Sequence, residues 1–242
     1  MERVQKVISN LGYASRREAE KLILDGKVLI NDQKANLGDK VKSSDIIKIN
    51  GVVLDKTKSN DKVYYLLNKP RGVVSTTNDE LGRKTVISLI GTDKRIYPVG
   101  RLDYDTTGAI LLTNDGELTN LLIHPSSEVE KVYLAKIKGI ITGSDIFKLK
   151  NGVIIDNKKT SKCRVKLKSY NKETNTSLVE LTIHEGRNHQ VKKMFEAVGY
   201  DVVKLTRLRF AFLDCKTLKS GEYRSLTPKE VKKLYSLCKN VK

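Results

Sequence analysis

The sequence predicts an α+β fold in two parts: a small N-terminal module over residues 1–60 and a larger domain over 61–242 built on a mixed or largely antiparallel sheet. Three observations predict it. After residue 61, apolar strand-like runs outnumber helical stripes and lie close together in the chain. The first 24 residues carry two short helical stripes instead. Between the parts, Lys56-Thr57-Lys58-Ser59-Asn60-Asp61-Lys62 is polar throughout and reads as a linker.

In the module, Val4, Val7, Ile8 and Leu11 recur at helical spacing, and Gly12 ends that helix. Ser15-Arg16-Arg17-Glu18 has the form of a capping box, in which the hydroxyl accepts from the Glu18 amide and Glu18 reaches back. Ala19, Leu22 and Ile23 supply the inner face of the second helix, and Gly26 stops it. Residues 27–30 form a strand, followed by an Asn31-Asp32 turn. Residues 46–49 and 52–54 flank an Asn50-Gly51 hairpin turn. Arg3, Lys6, Arg16, Arg17, Lys21 and Lys27 are candidates for one basic face. Each alone suits an ordinary solvated helix surface; as a set they suit phosphate contacts.

In the larger domain, residues 63–67 form a buried strand, and Asn68-Lys69-Pro70-Arg71-Gly72 turns it into a second one over 73–76. Residues 96–99 and 109–112 are buried strands flanking a polar loop. Leu118, Leu121 and Leu122 mark a short helix after Asn114-Asp115-Gly116. Residues 132–137 alternate, with Tyr133, Ala135 and Ile137 on one face; 164–168 alternate basic and apolar; 178–183 form another strand. Glu185–Asn188 is a loop opening a helix with Val191, Met194, Phe195 and Val198 inside and Gly199 as its cap. The last helix starts at Thr227-Pro228-Lys229-Glu230, a proline at the first helical position inside a capping box.

Composition narrows the function. The net charge of +18 favours a polyanionic partner, most often nucleic acid. It is uneven: 26 basic against 10 acidic residues from Lys131 onward, 12 against 8 over residues 1–60, and 8 against 10 over 61–130. Cys163, Cys215 and Cys238 have neither metal-site nor disulfide spacing and read as free thiols in a reducing cytoplasm. There is no signal peptide and no apolar run of about 20 residues, so no membrane contact is expected. No G-x-G-x-x-G follows a strand, and Gly82-Arg83-Lys84-Thr85 lacks the earlier glycine of a phosphate loop. His184 and His189 are five residues apart, one too many for two metal ligands on one helix face. His124, before Pro125, reads as structural.

The polar loop is Gly100-Arg101-Leu102-Asp103-Tyr104-Asp105-Thr106-Thr107-Gly108. A loop strung between two core strands holds a side chain rigidly at a cleft, and the acid it presents is Asp103. Asp-x-Asp on an extended segment could bind a divalent metal. The following Thr106-Thr107-Gly108 favours Asp105 closing a local turn through backbone amides.

This loop resembles the active-site loop of RNA pseudouridine synthases, in the branch that modifies ribosomal RNA at single sites. Asn68–Gly72, Glu130-Lys131-Val132-Tyr133-Leu134, Glu185–Phe195, Lys204–Phe210 and Gly221-Glu222-Tyr223-Arg224 resemble further motifs of that family, in its order, as far as about Glu230. Ser15–Ala19 with Gly26-Lys27-Val28 resembles the S-four type RNA-binding domain, an alpha-L motif. The resemblance implies isomerisation of a uridine in ribosomal RNA, in the large subunit more than the small. Free rRNA or a ribosome-assembly intermediate is the partner implied, for a monomeric cytoplasmic enzyme with no metal or organic cofactor.

By that resemblance Asp103 is the nucleophile, attacking a sugar anomeric carbon as glycosidase carboxylates do. An ionised carboxylate in a partly dry pocket needs a cation, and the match assigns Lys192, where arginine is usual. Lys193 and Arg187 are the alternatives. Tyr133 is either a core tyrosine or packs on the flipped base and takes the proton from carbon 5. Arg101 either fills the gap left by the base or pairs with Asp103 or Asp105. Leu205 and Arg187 are expected at the substrate. Two other readings stand beside this one: a non-catalytic RNA-binding assembly factor, and a metal-dependent glycosyl-transfer enzyme using both aspartates.

Overall fold

The computed structural model describes residues 1–55 and 61–239, so most of the expected linker lies outside the described residues. The chain divides into two compact units. One comprises Met1–Val63 with Thr92–Arg95 and Asn114–Gly116; the other comprises Tyr64–Gly91, Ile96–Thr113 and Glu117 onward.

The first unit runs β1 (Glu2–Arg3), α1 (Val4–Asn10), α2 (Arg16–Leu24), β2 (Val28–Ile30), β3 (Gln33–Lys34), β4 (Lys40–Val41), β5 (Ile47–Ile49) and β6 (Val52–Val53). The capping box forms as expected: the Glu18 amide donates to Ser15 Oγ at 3.0 Å and the Ser15 amide donates to Glu18 Oε2 at 2.6 Å. Asn50 and Gly51 both have positive φ, which matches the twist of the β5–β6 hairpin. Val4, Ile8, Ala19, Ile23, Val28 and Ile47 close a small apolar core.

The second unit runs β7 (Tyr64–Lys69), β8 (Tyr97–Pro98), β9 (Thr107–Thr113), α3 (Gly116–Ile123), β10 (Lys131–Lys138), α4 (Gly143–Asn151), β11 (Ile154–Ile155), β12 (Lys158–Lys159), β13 (Arg164–Asn171), β14 (Thr176–Ile183), α5 (Gln190–Glu196), β15 (Val202–Phe210), β16 (Leu213–Asp214), β17 (Tyr223–Ser225) and α6 (Pro228–Lys239). Its main sheet has the order β13-β14-β10-β15-β9-β7-β17. The sheet is mixed: β9 and β15 pair in parallel while the other neighbours in this order are antiparallel.

The parallel seam positions the site. Thr206 pairs with Thr107 and Arg207 with Gly108, so the end of the 100–108 loop is fixed against β15. Gly108 has φ +105°, and a Cβ there would lie 2.2 Å from the Arg207 carbonyl oxygen. Only glycine permits that approach. On the other side, β10 shifts register against β15 between Val132 and Tyr133. This irregularity leaves both of those neighbours buried, where strict alternation would expose one.

Several elements differ from expectation. Residues 73–76 form no ladder; Val74 makes an isolated bridge to Thr85, and the Ser75 hydroxyl bonds both backbone groups of Leu102. The strand at 96–99 shrinks to Tyr97–Pro98, although the Val99 amide still donates to the Leu111 carbonyl at 2.8 Å and Ile96 and Val99 are buried. Helix α5 ends at Glu196, two residues before Val198, with tight bonds from Val198 to Phe195 and Gly199 to Glu196. Helix α4 was not expected: Thr142 caps it, but Leu149 is its buried residue and Phe147 stands exposed, so no apolar stripe marks it. The Thr227–Glu230 capping box is present. No helix among the described residues is long and apolar enough to cross a membrane.

Candidate active site

A cleft of about 1060 Å³ opens in the second unit, and Asp103, Arg101, Tyr133, Leu205, Arg187 and His189 lie along it. Four of these come from separate parts of the chain: the 100–108 loop, β10, β15 and the loop before α5.

The 100–108 loop is held from beneath. Lys69, at the end of β7, has no exposed surface. Its ammonium donates to the carbonyls of Thr106 at 2.9 Å, Asp103 at 3.0 Å and Pro70 at 3.1 Å. Burial pushes this ammonium down to about 8 from 10.5, while Asp103 and Asp105 pull it back up. The Ser75 hydroxyl accepts from the Leu102 amide at 3.1 Å and donates to its carbonyl at 2.8 Å. The Gly72 amide donates to the Tyr104 carbonyl at 2.9 Å. Lys69, Gly72 and Ser75, all in one short stretch from the end of β7, thus fix the backbone on either side of Asp103. Lys69 carried a signal in the sequence: in a period-two strand it shares a face with Leu67, a position normally apolar.

Asp103 faces two basic side chains. Lys192 Nζ lies 3.8 Å from its Oδ2 and His189 Nε2 lies 3.7 Å from its Oδ1. Lys192 is nearer to Asp105, donating to both carboxylate oxygens at 2.7 and 2.8 Å. The expected cation is therefore in place, but it bridges two aspartates and bonds the second more closely. The hydrogen bond from Lys192 holds the Asp105 carboxyl below its ordinary value. The favoured local role of Asp105 is corrected accordingly. The turn is closed by the Thr106 amide on the Asp103 carbonyl, at 3.1 Å, and the Asp105 carboxylate serves Lys192.

The two alternative cations are engaged elsewhere. Lys193 pairs with Asp156 at 2.7 Å. Arg187 donates to the carbonyls of Lys158 and Lys159 at 2.8 and 2.7 Å and lies 3.4 Å from Glu185. Arg187 therefore lines the cleft and also braces the 158–159 segment. Arg101 is exposed, and among the described residues no ion pair joins it to Asp103 or Asp105. Tyr133 is 9% exposed and Leu205 5%, and both face the cleft from neighbouring strands.

His184 and His189 sit in loop rather than helix, and their rings diverge toward Glu128 and Asp103 respectively. His124 bonds Ser126 through Nδ1 in a short turn and also lines the cleft. Among the described residues no group of three or more His, Cys, Asp or Glu side chains is placed to hold a metal ion. In the first unit, Lys6 pairs with Glu2, and Lys27 pairs with Asp25 at 3.3 Å. Arg3, Arg16, Arg17 and Lys21 are exposed and without an ion pair among the described residues.

The family model for RNA pseudouridylate synthase matches residues 63–197, and that for the S4 domain matches residues 2–47. The chain is 50% identical over 239 residues to the ribosomal large subunit pseudouridine synthase B of Bacillus subtilis (strain 168), covering 98% of this chain and 97% of that one. It is 37% identical over 238 residues to the dual-specificity RNA pseudouridine synthase RluF of Escherichia coli (strain K12), covering 98% of this chain and 80% of that one. A crystal structure of pseudouridylate synthase superposes with a TM-score of 0.68 at 30% identity, over 97% of this chain and 100% of the other. The chain belongs to the RNA pseudouridylate synthase family and carries an S4 domain at its N-terminal end.

Proposed function

We propose that this enzyme converts one specific uridine of large-subunit ribosomal RNA to pseudouridine, with Asp103 as nucleophile. The observation that carries the reading is the convergence of Asp103, Tyr133 and Leu205 on one cleft, with Lys192 3.8 Å from the Asp103 carboxylate. The choice of large-subunit RNA is supported by the name of the Bacillus subtilis relative.

In this reading a carboxylate oxygen of Asp103 bonds to the anomeric carbon as the bond to N1 breaks, and the electron pair leaves with the base. The base turns, its carbon 5 attacks the anomeric carbon, and the carboxylate is released. Tyr133 packs on the base and relays the proton from carbon 5 while N1 takes one up, so the product is an isomer of the substrate. Lys192 holds Asp105 ionised and sets its positive charge 3.8 Å from the Asp103 carboxylate, and Leu205 packs on the base from the side of β15. Arg101, exposed at the cleft, fills the gap in the RNA.

Residues 1–60 form the RNA-binding domain and 61–242 the catalytic domain. Arg3, Arg16, Arg17 and Lys21 contact phosphates, supported by their exposure without ion pairs among the described residues. The enzyme acts as a cytoplasmic monomer. Mapping pseudouridines in rRNA from cells lacking this chain tests the substrate. One position in large-subunit rRNA should revert to uridine; a loss only in small-subunit rRNA, or none, would overturn the assignment.

A further inference from the structure

Two residues that line the cleft carry buried donor atoms that the mechanism above does not use. Arg207, on β15 two residues beyond Leu205, is 3% exposed and lines the cleft. Its Nε donates to the Ala109 carbonyl at 2.7 Å, and its guanidinium lies 5.2 Å from the centre of the Phe210 ring. Its Nη2 is buried with no hydrogen-bond partner among the described residues, and no carboxylate there pairs with it. Thr106, 1% exposed, lines the same cleft, and its Oγ1 also lacks a partner. Lys131, a third lining residue, gives one bond to the His184 carbonyl at 2.9 Å. Burial pushes the Lys131 ammonium down to about 8, and the neighbouring charge of Arg207 adds to the depression.

Buried donors are almost always paired, and a cationic donor without a partner is costly. Two in one cleft call for a ligand that presents acceptor oxygens. The mechanism creates such a ligand. When the bond between N1 and the anomeric carbon breaks, the electron pair passes to the base, and its charge spreads onto the carbonyl oxygens O2 and O4. A fixed cationic donor at one of those oxygens acts most strongly as the charge develops.

We propose that Arg207 and Thr106 form a subsite for a carbonyl oxygen of the flipped uracil, with Arg207 stabilising the departing base. This rests on the reading of the cleft as the place of uridine isomerisation. Asp103 then works on the sugar and Arg207 on the leaving group. Both are anchored at the β9–β15 seam, Arg207 directly opposite Gly108.

The test is a chemical double-mutant cycle. Single-turnover rates are measured for the full chain, Arg207→Met, Arg207→Lys and Thr106→Val on an RNA whose target is uridine, 2-thiouridine or 4-thiouridine. Sulfur is the poorer acceptor. Arg207→Met should slow the reaction about a hundredfold at nearly unchanged RNA affinity, with partial recovery in Arg207→Lys. One of the two thio substitutions should slow the wild type and cease to matter in Arg207→Met. A rate within threefold of wild type, or undiminished thio sensitivity, would overturn the proposal. So would a coupling to a phosphorothioate at the target nucleotide instead of to the base, because a phosphate would then be the ligand. If Arg207→Met does not fold, as judged by its melting, Thr106→Val carries the same cycle. A wild-type chain that forms no pseudouridine defeats the underlying reading; an active one without the coupling defeats this inference alone.

Discussion

Replacing Lys69 by methionine tests how the loop bearing Asp103 is held. The lysine ammonium is fully buried and makes bonds of 2.9, 3.0 and 3.1 Å to carbonyls of Thr106, Asp103 and Pro70. Hydrogen bonds from a charged donor contribute about 1.5–3 kcal/mol each, or roughly 4.5–9 kcal/mol for three. Burial opposes this. A displacement of the Lys69 value from 10.5 to about 8 corresponds to about 3 kcal/mol against the charged form. The expected net loss in Lys69→Met is therefore about 1.5–6 kcal/mol, read by urea unfolding at neutral pH. One of the orphaned acceptors is the carbonyl of Asp103 itself, so the single-turnover rate should fall about a hundredfold as the carboxylate loses its position. The pH dependence has a definite sign. The folded value lies below the unfolded one, so the folded chain binds fewer protons between about pH 8 and 10.5. The burial penalty is complete below pH 8, and the stability of wild type relative to the variant should rise as pH climbs through that window. A variant within about 0.5 kcal/mol of wild type, reacting at the wild-type rate, would refute the reasoning.

Three further outcomes follow from the same geometry. Lys192→Ala leaves Asp103 and Asp105 facing each other without their shared cation, and kcat should drop about a hundredfold while Lys192→Arg keeps most of it, as steady-state kinetics would show. Arg224, with help from Thr227, holds the Glu230 carboxyl at about 2 against 4.5. Because the folded value is the lower one, its contribution is complete above pH 4.5 and vanishes toward pH 2. Glu230→Gln should therefore cost about 1–2 kcal/mol at neutral pH and progressively less through that acid range, measured by thermal or urea unfolding. Arg16→Ala and Arg17→Ala should each weaken RNA binding and flatten its salt dependence by about one unit of slope, which filter-binding titrations at several salt concentrations would register.

Much of this is written in local sequence signals. Ser15–Glu18, Asn50-Gly51 and Thr227–Glu230 are each defined by a few neighbouring residues, and each forms in the structure. Asp103 could be singled out because polar turn residues between two apolar runs announce a presented side chain. What the sequence hides is long-range. Whether Lys192 bonds Asp103 or Asp105 depends on how α5 meets the loop across 87 residues of chain. Arg187 looks free in a glycine-containing loop, yet it is bound to carbonyls nearly thirty residues upstream. The segment at 73–76 has strand composition but finds only one bridge partner, and its serine braces Leu102. Arg207 sits in a strand with Lys204 and Arg209, and only the folded β9–β15 seam shows that its side chain is buried and short of a partner.

The role of Asp103 is tested most directly by single-turnover pseudouridine formation on a large-subunit rRNA fragment, comparing wild type with Asp103→Asn. Asparagine keeps the shape and removes the charge. The account predicts that the variant binds the RNA with nearly wild-type affinity and forms no pseudouridine; conversion at the wild-type rate would contradict it.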